Sequence, residues 1–183
     1  EAEQKKFRKA VDCFDKAILI AETLESGRDK KLARSFHALA VTHDRAKKAD
    51  YAIRYYKRAL ELDPKLTDPC AARIVELHRK NAFIYEKREQ YDKVIENLQH
   101  AMRFDPKNVK LLDQLGRAYQ KKKNFRKALD CFLRGDELQP QDIRTYIRLA
   151  QTYRALGENE KSEEYGKKVE ELKALEEKAA QEA

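Results

Sequence analysis

Residues 7–14 read FRKAVDCF and residues 125–132 read FRKALDCF, seven identities in eight at an offset of 118 residues. Self-similarity of this kind marks a chain built of repeated units, and a repeat overlooked mis-assigns the whole fold. Three longer segments share the same frame. YAIRYYKRALELDP ends at Pro64, YDKVIENLQHAMRFDP at Pro106 and FRKALDCFLRGDELQP at Pro140, so the steps between prolines are 42 and 34 residues. The offset of 118 is two steps of 42 and one of 34, and one register covers every segment.

Each segment has the pattern of a helix. Phe125, Ala128, Leu129, Phe132 and Leu133 fall at i, i+3, i+4, i+7 and i+8, one apolar stripe on a helix of 3.6 residues per turn. Each proline stands just past such a stripe, where its missing N–H and its restriction of the preceding residue stop the helix. Asn108, Asp142 and Asp68, the last followed by Pro69, are placed to cap the start of the next helix. Ser26-Gly27 is placed to end the first one in a left-handed turn. Composition agrees: 5 Gly and 4 Pro in 183 residues are too few turn formers for a β-sandwich or barrel. No apolar run approaches the roughly 18 residues of a membrane span. An all-α chain is expected, with 42% apolar residues to fill its core and 39% charged residues, against about 25% in an ordinary globular protein, to cover it.

On these residues the sequence resembles the tetratricopeptide repeat family. In 109–142, Leu115-Gly116, Tyr119, Phe125, Ala128, Phe132 and Pro140 stand at signature positions, with Leu112 for the usual Trp and Gly135 for the usual Ala. The copy at 33–66 keeps Phe36, Leu39, Ala40, Ala52, Tyr56, Ala59 and Pro64 and has His43 for Tyr. That at 75–108 keeps Ala82, Tyr85, Tyr91, Ala101 and Pro106, with Asn81 and Val94 at the usual Leu and Ala positions. The copy at 143–176 keeps Tyr146, Leu149, Ala150, Tyr153 and Gly157 before it decays. The resemblance implies a right-handed superhelical solenoid of about nine helices in antiparallel pairs, forming a single domain over 1–183. Residues 1–27 are expected to hold the second helix of a truncated repeat, and 159–183 a charged capping helix. Two steps are longer by eight residues, and units of this longer period resemble those of kinesin light chain, which implies extended first helices near 28–47 and 69–88 instead of long loops.

The chain has no initiator Met and begins mid-array, as expected of a segment of a longer polypeptide; its first residues, Glu, Gln and Lys among them, do not read as a signal peptide, and a targeting segment outside this sequence stays open. Cys13, Cys70 and Cys131 lack metal-ligand spacing and fit a reducing, intracellular compartment, cytoplasmic or nuclear. Cys13 and Cys131 are equivalent in the repeat and are both expected in packing roles. His43 is expected to pack in place of Tyr, with His37, His78 and His100 on solvated or groove faces. No nucleophile-and-base constellation, phosphate loop or metal cluster is apparent, so neither catalysis nor a cofactor is expected.

Function is therefore expected on the surface. The resemblance implies that first helices line a concave groove for extended peptides, and the positions facing it include nine basic and three acidic residues. Arg79, Lys80, Lys110, Gln114, Arg117, Lys121, Arg144 and Arg148 are the candidate peptide-binding residues. Such a field favours an acidic or C-terminal peptide of a partner protein, bound by a scaffold or adaptor within a larger complex. A co-chaperone-like clamp for a terminal carboxylate would use Arg79, Phe83, Gln114, Arg144 and Arg148, but Phe83 cannot donate a hydrogen bond. Two other readings stay open: docking through the convex face, and RNA or DNA binding, for which a net charge of +8 argues but no recognised motif does. Residues 159–183 carry eight acids and five bases, which concentrates the positive charge in the repeats.

Overall fold

The computed structural model describes residues 2–22 and 28–181. Among these are nine α-helices, one short 3-10 turn and no strand. The helices are α1 (Ala2–Glu22), α2 (Arg28–Arg45), α3 (Ala49–Leu62), α4 (Thr67–Glu86), α5 (Tyr91–Met102), α6 (Val109–Lys121), α7 (Phe125–Leu138), α8 (Ile143–Ala155) and α9 (Asn159–Gln181). The chain forms two compact units, Glu1–Asn81 and Ala82–Ala183, with the division falling inside α4. Ser26-Gly27 lies outside the described residues.

The eight-residue insertions lengthen helices instead of loops. Helices α2 and α4 have 18 and 20 residues, against 13 each for α6 and α8. Pro106 and Pro140 follow α5 and α7, and Pro64 follows α3 at the head of the 3-10 turn Pro64–Leu66. That turn runs into α4, so Asp68 sits in the first helical turn instead of capping it; the capping side chain here is Asp63, which accepts the Lys65 N–H. Asn108 and Asp142 cap as expected, accepting the N–H of Leu111 and Thr145.

The turns inside the helix pairs keep the register through backbone chemistry. The N–H groups of Lys48, Gln90, Asn124 and Glu158 donate to the carbonyls of His43, Tyr85, Tyr119 and Tyr153. The residue before each donor, Lys47, Glu89, Lys123 or Gly157, has positive φ. This is a helix C-terminal motif with a left-handed residue, which favours Gly and here uses it in only one of the four turns.

In unit 1, α2 packs on α1 and α3. Its core holds Leu39, Ala40, Ala52, Ile53, Tyr56 and Ile74. Both hydrogen-bonding nitrogens of the Arg73 side chain that face Asp44 donate to its carboxylate, joining α4 to α2. Asn81 donates to Asp50 at 3.3 Å, so the polar residue at a usual Leu position has a use in tying α4 to α3. His78 is buried, a correction to the solvated or groove face expected of it. His43 packs as expected: it is 6% exposed, stacks on Tyr51 and Tyr55 and meets Phe7 of α1 edge-on, each at 5.2 Å.

Neither ring nitrogen of His43 has a hydrogen-bond partner. Burial, with Lys48 and Arg54 nearby, holds its pKa below the usual 6.5, Asp15 opposing. A histidine that resists protonation when folded contributes its full stability above about pH 6.5 and loses it as pH falls through that value, because the unfolded chain takes up the proton first. The slope adds to that of any carboxylates at lower pH. NMR titration should place the His43 ring below 6.5, and His43→Tyr should flatten the stability of unit 1 between about pH 7 and pH 5. Titration at or above 6.5 contradicts this packing.

In unit 2, α6 packs between α5 and α7, and α8 between α7 and α9. Leu111, Leu112, Leu115, Gly116, Ala118 and Tyr119 are buried on α6, two adjoining stripes for two neighbours. Phe132 of α7 sits over Gly116, where an added Cβ would lie 2.5 Å from the ring. In α9, Val169 is buried but Leu175 is 62% exposed. Cys131 is buried, and burial pushes its thiol up to about 11. Its repeat equivalent Cys13 is exposed, a correction to the packing role expected of both. The local sequences match, but α7 packs between α6 and α8, whereas α1 packs on α2 among the described residues.

Candidate functional site

The caps at Asn108 and Asp142 start α6 and α8 at the same point of their repeats, 34 residues apart. Lys110 therefore corresponds to Arg144, Gln114 to Arg148 and Arg117 to Gln151. These helices and the last turn of α4 present one face in unit 2. Arg117 of α6 meets Glu86 of α4 at 3.3 Å and Asp113 of its own helix at 3.9 Å. Asp113 also meets Arg148 of α8 at 3.6 Å. A ladder of alternating charge, Glu86–Arg117–Asp113–Arg148, thus crosses three helices. Farther along, Gln120 donates to the Thr152 hydroxyl at 2.8 Å, and that hydroxyl donates to the Arg148 carbonyl at 2.6 Å.

The ladder's side chains are 34–41% exposed, so each pair contributes about 1 kcal/mol at most. Their larger effect is on charge. Both carboxylates of the face are engaged, whereas Lys110, Lys121, Arg144 and Arg154 have no ion-pair partner among the described residues. Lys110 and Lys121 lie at opposite ends of α6, about 16 Å apart along its axis. Lys87 stands over the Phe83 ring, 5.2 Å from its centroid, and that ring is 57% exposed. The Gln114 amide oxygen is shielded from solvent and has no hydrogen-bond partner.

The candidate residues separate accordingly. Arg117 and Arg148 come together around Asp113, Gln114 follows Asp113 in α6, and Lys110, Lys121 and Arg144 flank them. Arg79 and Lys80 belong to unit 1 and pair with Glu76 at 2.9 and 3.7 Å. Of the five clamp positions, Arg79 and Arg148 hold carboxylates of the chain itself, and Phe83 offers an apolar ring. Sequence reading counted Glu86 and Asp113 as a small subtraction from the charge and missed their bridging role. The 34-residue register, which sets Asp113 one position from the equivalent of Arg148, was the available signal.

Comparison with known proteins agrees with the repeat. Models described as tetratricopeptide repeat match residues 1–65, 109–142 and 143–174. The chain belongs to the tetratricopeptide repeat family. It is 34% identical over 64 residues to human protein O-mannosyl-transferase TMTC3, covering 35% of this chain and 7% of that protein. Mouse tetratricopeptide repeat protein 16 is 32% identical over 100 residues, 51% of this chain and 12% of its own length. The chain thus spans about a tenth of these relatives. Among solved structures, a crystal structure of MamA superposes with a TM-score of 0.54 over 97% of this chain and 98% of its own at 23% identity, a likeness of fold. No helix among the described residues is long and apolar enough to cross a membrane.

Proposed function

We propose that the chain is a protein-interaction scaffold, as its tetratricopeptide repeats support, and that the face of α6 and α8, with the last turn of α4, holds an acidic segment of a partner protein. The observation that carries this reading is the set of cations, Lys110, Lys121, Arg144 and Arg154, left without carboxylates where Glu86 and Asp113 are already engaged. An extended acidic peptide supplies what the face lacks, carboxylates for these cations. Arg148 is held by Asp113, so internal acidic side chains suit the face better than a terminal carboxylate does. The chain acts as a binding module.

Fluorescence anisotropy with an Asp/Glu-rich peptide blocked at both ends tests it. Saturable binding is expected, weakening about tenfold as salt rises from about 50 to about 200 mM, as for contacts exposed to screening. Freeing the peptide's C-terminus should change the affinity less than twofold. No saturation, or tighter binding of single-stranded RNA with a steep log-log salt slope, overturns the reading.

A further inference from the structure

A cavity of about 370 Å³ opens between α5, α6 and α7, away from the residues of the proposed peptide face. Met102, Leu115 and the ring of Tyr119 form its apolar walls, and Cys131 lies in its lining. Arg103, Lys127 and Arg134 also line it and make no ion pair among the described residues. Asp130 is the one acid in the lining. Lys127 stands 5.6 Å from the centroid of the Tyr119 ring.

The next repeat shows what occupies this place when it is filled. Thirty-four residues on, Tyr119 becomes Tyr153, Lys127 becomes Lys161, Arg134 becomes Lys168 and Cys131 becomes Tyr165. The Tyr165 ring stacks on Tyr153 at 5.7 Å with 16° between planes, and Lys168 sits 4.6 Å from its centroid. Glu164 neutralises Lys168 at 2.6 Å. In the earlier repeat the stacking partner has shrunk to a thiol, and Asp130 and Arg134, which correspond to Glu164 and Lys168, do not pair. Two further acids, Asp136 and Glu137, correspond to Met102 and Arg103. The aromatic wall and the cation over it remain, the filling ring is gone, and the surroundings have turned from acidic to basic.

We propose that this cavity receives an aromatic side chain flanked by carboxylates, carried on an extended segment of a partner protein. The ring takes the place against Tyr119 that Tyr165 takes against Tyr153, and the flanking carboxylates meet Arg103 and Arg134. Aromatic stacking with a cation over the ring is a favourable arrangement for a rigid anchor at an interface.

Met102 is the single methionine of the chain, so a ¹³C-methyl label gives one resonance on the cavity wall. An end-blocked acidic peptide with a central Phe should shift that resonance by ring current and saturate. Replacing Phe by Ala should weaken binding about tenfold and remove the shift, as the loss of an anchor residue does. Cys131→Tyr, which refills the cavity, should abolish the Met102 response, and Cys131→Ala should keep it. Arg103→Glu should weaken binding about tenfold and serves if Cys131→Tyr does not fold. Lys110→Glu with Arg144→Glu should leave the Met102 response in place, so failure at the α6–α8 face is distinguishable from failure here. Equal Met102 responses to the Phe and Ala peptides, or a full Met102 response in folded Cys131→Tyr or in Arg103→Glu, overturns the proposal.

Discussion

Phe132→Ala is expected to destabilise unit 2 by about 3–5 kcal/mol, the largest loss of stability from any single truncation in the chain. Phe132 is 2% exposed and lies over Gly116, with α7 between α6 and α8. Its removal forfeits the transfer energy of a full aromatic side chain and leaves a void at the centre of three helices. The same fit makes Gly116→Ala costly, by about 1–3 kcal/mol, because the ring that would have to move is itself enclosed. The earlier repeat holds Ala82 and Leu98 at the equivalent positions, both buried. Gly116→Ala with Phe132→Leu should therefore be more stable than Gly116→Ala alone, the signature of two contacting residues. Urea midpoints followed by circular dichroism at 222 nm measure all three. A Phe132→Ala midpoint equal to that of the unsubstituted chain contradicts this packing.

This pair was legible in the sequence because the repeat register sets a small residue against a large one in each unit. The extension of α2 and α4 was legible from the longer period of their units, which resembles that of kinesin light chain. Burial at Cys13 was not. FRKAVDCF and FRKALDCF carry the same local instructions, and what covers a side chain depends on helices elsewhere in the chain. The left-handed residues Lys47, Glu89 and Lys123 were hidden too, because the one glycine among the four turns, Gly157, is the only compositional mark of the motif. At the candidate site, the excess of cations could be counted in advance, but not which cations Glu86 and Asp113 would hold. The cavity beside Tyr119 shows only when Cys131 is set against Tyr165 of the next repeat.

Lys110→Glu combined with Arg144→Glu is expected to weaken the acidic peptide by roughly 30- to 1000-fold at low salt. Each reversal turns an attraction of about 1 kcal/mol in high dielectric into a repulsion of similar size, so the pair amounts to about 2–4 kcal/mol. Both side chains are exposed and unpaired, so helicity and the urea midpoint should hold. Asp113→Asn should act the opposite way. It releases Arg148, while Arg117 stays with Glu86, and should tighten the peptide several-fold at a cost in stability of about 1 kcal/mol or less.

A charge exchange between protein and peptide tests the central claim most directly. Affinities of the unsubstituted chain and of the Lys110→Glu, Arg144→Glu double variant are measured for an acidic peptide and for the same peptide with Lys at its acidic positions. If the unpaired cations of α6 and α8 form the site, the chain prefers the acidic peptide, and the double variant loses it and gains the lysine peptide. A double variant that binds the acidic peptide as tightly as the unsubstituted chain places the site elsewhere and contradicts the account.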